Sequence, residues 1–150
     1  MHITGVAGSQ FGYSIDCAGD VNGDQIDDII ISAPYAQYSS RIESGSIYII
    51  YGTAIAAAAA LFENLDVTGF TPGESGFIIG GPDSYSHAGV AVAAAGDVNG
   101  DGYADVVIGC NECSSNYGAA FVVYGDATRY FNADLGFISA HGFRVSSTLP

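Results

Sequence analysis

Residues 19–31 read GDVNGDQIDDIII, and residues 96–108 read GDVNGDGYADVVI. Each copy opens on a cluster of acids and amides and closes on an apolar run. The apolar run is rich in Ile and Val and too short for a helix, so it reads as a strand buried on both faces. The polar part carries glycines that allow the chain to curl tightly. A polar loop leading straight into a buried strand describes one half of a β-hairpin, and the chain writes it twice.

The repetition extends outward from the two phrases. With Phe11 placed over Ala88, FGYSIDCAGDVNGDQIDDIIISAP lies over AGVAVAAAGDVNGDGYADVVIGCN. Further on, SGSIYIIYG (44–52) lies over YGAAFVVYG (117–125). SGFIIGG (75–81) is echoed weakly by HITGV near the start and HGFRV (141–145) near the end. The patterns predict strands over 12–18, 27–33, 46–51 and 76–80, then 89–95, 104–109, 119–124 and 141–145, with an opening strand near residues 2–6. Ala54–Leu65 has helix propensity from its alanines. Four strands in a unit longer than 40 residues are the signature of β-propeller blades, although many short strands also suit a β-sandwich. The expected architecture is all-β: two four-stranded antiparallel blades, about 11–81 and 88–146, with the first strand contributed by a preceding blade. Two blades do not close a ring, and a blade cannot bury its faces alone. The expected complement is either the rest of a parent propeller or self-association of two-blade chains into a trimer or tetramer.

The polar phrase has its own chemistry. Asp20, Asn22, Asp24 and Asp28 stand at positions one, three, five and nine of the first loop, and Asp97, Asn99, Asp101 and Asp105 repeat them. Backbone carbonyls at position seven, from Ile26 and Tyr103, would add an oxygen to each set. Oxygen donors in this number suit Ca²⁺, which takes six to eight, better than Mg²⁺, which keeps its waters and a strict octahedron. An EF-hand is excluded: it needs a Glu at position twelve and flanking helices, whereas position twelve is Ile31 or Ile108 and the flanks read as strand. The competing reading is an Asx-rich turn without metal. Two copies with every donor position kept argue for two calcium sites per chain, with calcium coupled to folding.

Composition agrees. Of 150 residues, 49% are hydrophobic and 13% charged, so the chain is not a disordered acidic tail. Sixteen acids against three Lys and Arg give a net charge of −13, which repels nucleic acid and anionic membrane surfaces. No stretch is apolar and long enough to span a membrane, and no signal peptide opens the chain. Cys110 and Cys113 form CNEC and Cys17 stands apart. A single CxxC lacks the second pair of a structural zinc site, leaving a local disulfide or two free thiols.

Phe11-Gly12, the Asp-rich loop 20–28 and SAP at 32–34 resemble the FG-GAP repeat, the blade unit of the integrin α-subunit propeller. The second copy keeps the loop 97–105 but has Ala88-Gly89 and GCN (109–111) where Phe-Gly and Gly-Ala-Pro stand in that family. The resemblance covers nearly the whole chain. It implies a closed ring of blades, Ca²⁺ held by the loops on one face, partners bound on the other, and an extracellular or cell-surface setting. No catalytic constellation is legible: His2, His87 and His141 are scattered, and His87 precedes a strand in a turn-like position. The expected function is therefore a non-catalytic calcium-binding module for adhesion or protein–protein interaction. The alternatives are a lectin-like propeller, with Tyr35, Tyr38, Tyr85 and Tyr117 as sugar platforms, and a non-catalytic appendage of a secreted enzyme.

Overall fold

The computed structural model describes residues 3–53, 65–67, 70, 73, 75–127 and 133–146. In chain order the strands are β1 (Ile3–Thr4), β2 (Ile15–Gly19), β3 (Asp28–Ala33), β4 (Ser46–Ile50), β5 (Leu65–Asp66), β6 (Gly76–Gly80), β7 (Ala91–Gly96), β8 (Asp105–Cys110), β9 (Ala119–Val123), β10 (Ala133–Asp134) and β11 (Gly142–Ser146). A single helical turn, α1 (Cys113–Asn116), follows β8, and a 3₁₀ segment covers Leu135–Ala140.

Two antiparallel sheets carry the fold. The first runs β6-β4-β3-β2 and the second β11-β9-β8-β7. All eight long strands fall where the alternating and continuous apolar patterns put them, with ends that differ by no more than three residues from the expected bounds. β3 is buried along nearly its whole length, as its unbroken Ile run requires. Two details depart from the expectation. β10 adds a fifth, two-residue strand to the first sheet, pairing parallel with β6. The N-terminal strand is only Ile3–Thr4, and it pairs parallel with β5 outside both sheets. Residues 54–64, expected to favour helix, lie outside the described residues, and Leu65 opens β5 instead.

The two sheets stack through one apolar interface. From the first come Ile30, Ile47, Ile49 and Ile79, and from the second Val92, Val106, Ile108, Phe121 and Val123. Leu135 and Ile138 of the 3₁₀ segment close one side. Burying each of these side chains contributes about 1.5–3 kcal/mol. The opposite face of the first sheet, Ile31, Ala33, Tyr48 and Ile50, is covered by Ile3, Phe11, Val67 and Phe70. Here the parallel β1–β5 pair finds its use: it carries apolar side chains over a face that would otherwise be wet.

The second sheet's other face has no apolar layer packed on it among the described residues. Ala93, Val107, Val122 and Phe143 share it with Ala91, Ala120 and Val145 by register, and Phe143 and Val145 are 43% and 57% exposed. In the repeat, Val107 occupies the position of Ile30. The face that blade 1 buries against blade 2 thus recurs on blade 2 with nothing upon it among the described residues.

The links between the sheets are close. Gly45 (φ +92°) brings its backbone so near Ala88 that a Cβ would stand 2.1 Å from the Ala88 carbonyl oxygen, so only glycine fits. Ala88 N–H donates to the Ser44 carbonyl. Cys110 at the end of β8 and Cys113 at the start of α1 are joined as a disulfide, and Cys17 is free and exposed. His87 lies in the inter-blade turn (φ +49°) between two carboxylates, Nε2 3.1 Å from Glu43 and Nδ1 3.2 Å from Glu112, with its ring 4.5 Å from that of Tyr35. Its two nitrogens lie near acids from different loops, so the ring braces those loops against each other.

Candidate metal centres

Each sequence-predicted loop closes a hairpin, β2–β3 or β7–β8. Both hairpins enter the loop through the same irregularity, a register shift between Cys17 and Gly19 and again between Ala94 and Gly96. The glycines there have φ +72° and +74°. This bulge swings the chain out of the sheet and starts its curl. Inside the loops, Gly23 and Gly100 stand at φ +79° and +78°. At position six the copies diverge in residue type but not in backbone. Gly102 has φ +93° and Gln25 φ +69°, so the first loop holds a side chain in the left-handed region at a cost of about 1 kcal/mol.

The chain winds around the first acid of each loop. Asp20 Oδ1 accepts from the amides of Gly23 (2.7 Å) and Asp24 (3.0 Å), and Oδ2 from Gln25 (2.8 Å). Asp97 repeats this with Gly100 (2.7 Å), Asp101 (3.1 Å) and Gly102 (2.9 Å). Asn22 and Asn99 each take the amide at position five, and Asp24 and Asp101 the amide at position seven. The position-nine acids differ in kind. Asp28 and Asp105 are fully buried and accept two amides apiece: Val21 and Gly52 for Asp28, Val98 and Gly125 for Asp105.

The donors are oxygen throughout, as a hard cation requires. Among the described residues, no three His, Cys, Asp or Glu side chains converge as a ready cage; the first acid of each loop is turned toward backbone amides instead. The loop still concentrates negative charge. Burial pushes the Asp28 carboxyl up from 3.8 to about 6; the Gly52 and Val21 amides oppose this, and the neighbouring charges of Asp24 and Asp20 add to it. A buried carboxylate with two others acting on it is an arrangement that a divalent cation would relieve. Asp27 points to solvent and takes no part in the set.

The two loops are unequally covered. Val21 and Asn22 are buried, whereas residues 97–102 are all exposed. Blade 2 makes the difference. Tyr103 packs over Gly23, Ala104 N–H donates to the Asp20 carbonyl at 2.9 Å, and Asp126 N–H donates to the Val21 carbonyl at 3.0 Å. The second loop instead borders an open cleft of about 340 Å³ lined by Asn99, Asp101, Tyr103, Tyr124, Gly125, Asp126 and His141. Gly52 and Gly125, whose amides hold the buried acids, were legible in the sequence as the repeated Tyr-Gly that ends both copies. Their purpose was not, since it needs a contact 20 or more positions away. Of the tyrosines proposed for sugar stacking, Tyr35, Tyr85 and Tyr117 are exposed, Tyr35 with its ring tilted against His87, and Tyr38 lies against Gly80 and Arg41.

A family model for the FG-GAP repeat matches residues 11–50 and 88–109. Integrin alpha-8 of Mus musculus is 30% identical over 146 residues, covering 95% of this chain and 12% of the relative. Integrin alpha-PS3 of Drosophila melanogaster is 30% identical over 118 residues, 79% of this chain and 9% of the relative. Integrin alpha pat-2 of Caenorhabditis elegans is 33% identical over 133 residues, again 79% and 9%. The chain thus spans about a tenth of the length of these relatives. Among the described residues no helix is long and apolar enough to cross a membrane.

Proposed function

Because the chain belongs to the FG-GAP repeat family, we propose that it is a non-catalytic, calcium-stabilised piece of an extracellular or cell-surface β-propeller that serves adhesion or protein–protein interaction. Calcium is held in two loops, by Asp20, Asn22, Asp24, Asp28 and the Ile26 carbonyl, and by Asp97, Asn99, Asp101, Asp105 and the Tyr103 carbonyl. The observation that carries this reading is the repetition of one loop, hydrogen-bonded around its first acid and ended by a buried carboxylate, in two places of a chain with net charge −13. The cation supplies positive charge where the loop gathers acids, and so ties the turn to the buried strand behind it.

The two units are about 11–81 and 88–146. Further blades complete the ring, either from a longer polypeptide or from other copies as a trimer or tetramer. Among the described residues nothing covers the Val107–Phe143 face or the second loop, and both support a following blade, because blade 2 covers the equivalent face and loop of blade 1. A glycan-binding propeller is the second reading, favoured by the exposed rings of Tyr85 and Tyr117; reproducible hits for one sugar class on a glycan array would move the assignment there.

The test is unfolding in urea with calcium and with chelator. Filling one site to 100 times its dissociation constant adds about 2.7 kcal/mol, so the unfolding midpoint should rise clearly. An unchanged midpoint at millimolar calcium would return the loops to ordinary turns. Light scattering in the same two buffers reads the assembly: a larger species in calcium supports a ring made of copies, and a monomer assigns the missing blades to a longer chain.

A further inference from the structure

The two loops are joined through their peptide groups. A peptide unit is planar, so the C=O of one residue and the N–H of the next point in fixed, opposite directions. Tyr103, whose carbonyl is the position-seven donor of the second loop, shares its peptide with the N–H of Ala104. That N–H donates to the Asp20 carbonyl of the first loop at 2.9 Å. The Asp20 carbonyl in turn shares its peptide with the N–H of Val21, which donates to Asp28 Oδ2 at 3.0 Å. Two planar units in series thus run from a proposed ligand of the second loop to a proposed ligand of the first.

A second strand of contacts runs beside it. Gly125 N–H holds Asp105 Oδ1 at 2.9 Å, and one residue on, Asp126 N–H holds the Val21 carbonyl at 3.0 Å. Gly125 is wedged in this junction. A Cβ there would stand 2.4 Å from the Ala104 carbonyl oxygen and 2.8 Å from that of Val21. The junction has little room to adjust one loop without the other.

We propose that the two loops take up calcium with positive cooperativity, coupled through the Tyr103–Ala104 and Asp20–Val21 peptides. The inference rests on the calcium reading above and adds to it the interaction between the sites. Fixing the Tyr103 carbonyl on a cation fixes the Ala104 N–H, which aligns the Asp20 peptide and the amide that holds Asp28. The ordering that the first loop needs is then partly done before its own ion arrives. The second loop, exposed and uncovered, acts on the better buried first loop, and by linkage the effect is mutual.

The experiment is a calcium titration followed by amide resonances, with Gly23 reporting the first loop and Gly100 the second. The second loop is disabled in D97N/D101N, whose altered side chains are exposed; the mirror variant is D20N/D24N. Coupling of the usual size lowers the affinity of the intact loop at least about five-fold in either variant, by the same factor in both. Hydrogen exchange at the Ala104 amide of the unaltered chain should slow when calcium is added. Equal affinity with the partner loop intact or disabled, or an Ala104 amide indifferent to calcium while Gly23 and Gly100 respond, overturns the coupling and leaves the calcium sites standing. No response of either glycine in the unaltered chain overturns the calcium reading itself.

Discussion

Removing the charge of Asp28 while keeping its shape tests the physical basis of the loop most directly. Its carboxyl is fully buried and raised from 3.8 to about 6. A folded-state value above the unfolded one means that the folded chain binds the proton more tightly. The cost of ionising Asp28 is absent below about 3.8, grows between 3.8 and 6, and is complete above 6. Two units at 1.36 kcal/mol each make that cost about 3 kcal/mol. In D28N the amide keeps one acceptor oxygen for one of the Val21 and Gly52 N–H groups, sets a donor-only NH₂ against the other, and does not titrate. In calcium-free buffer the variant should therefore be less stable than the parent near pH 4, by about 1–3 kcal/mol for the amide left unpaired. Between pH 4 and pH 7 the difference should move by about 3 kcal/mol in the variant's favour. The assay is urea unfolding of both proteins at a series of pH values; the titration of the other acids cancels in the difference. A difference that stays flat from pH 4 to 7 would refute the argument that burial dominates at this carboxyl.

Three further outcomes follow from the packing. Phe121 is fully buried between the two sheets, so F121A should cost about 3–5 kcal/mol and lower the unfolding of both blades in one transition; two separate transitions would show that the blades fold apart. Q25G should gain about 0.5 kcal/mol, since it relieves a left-handed side chain costing about 1 kcal/mol against the extra unfolded-state freedom of glycine; a loss of stability in urea would count against strain at this position. Alkylation of the folded, unreduced protein should label Cys17 alone, and reduction should expose Cys110 and Cys113; mass spectrometry that finds three labels before reduction contradicts the disulfide.

Local pattern alone determined the eight long strands, the two hairpin loops and the donor alternation within them. Alternation, unbroken Ile and Val runs and turn glycines act over a few residues, so they are written in consecutive letters. The repeat added the pairing of copies, because two stretches with the same demands on their surroundings adopt the same form. Tertiary structure decided the rest. The Tyr-Gly ends of both copies were visible, but that Gly52 and Gly125 hold Asp28 and Asp105 depends on strands meeting across the sheet. Cys110 and Cys113 left disulfide and thiols open, and the turn between β8 and α1 brings them together. His87 looked like an isolated turn residue until Glu43 and Glu112 arrived from two other loops. The inequality of the two Asp-rich loops was the least legible feature, since the letters are nearly identical. One loop is covered by Tyr103, Ala104 and Asp126 and the other faces a cleft, for the physical reason that burial belongs to whatever packs against a segment and not to the segment itself.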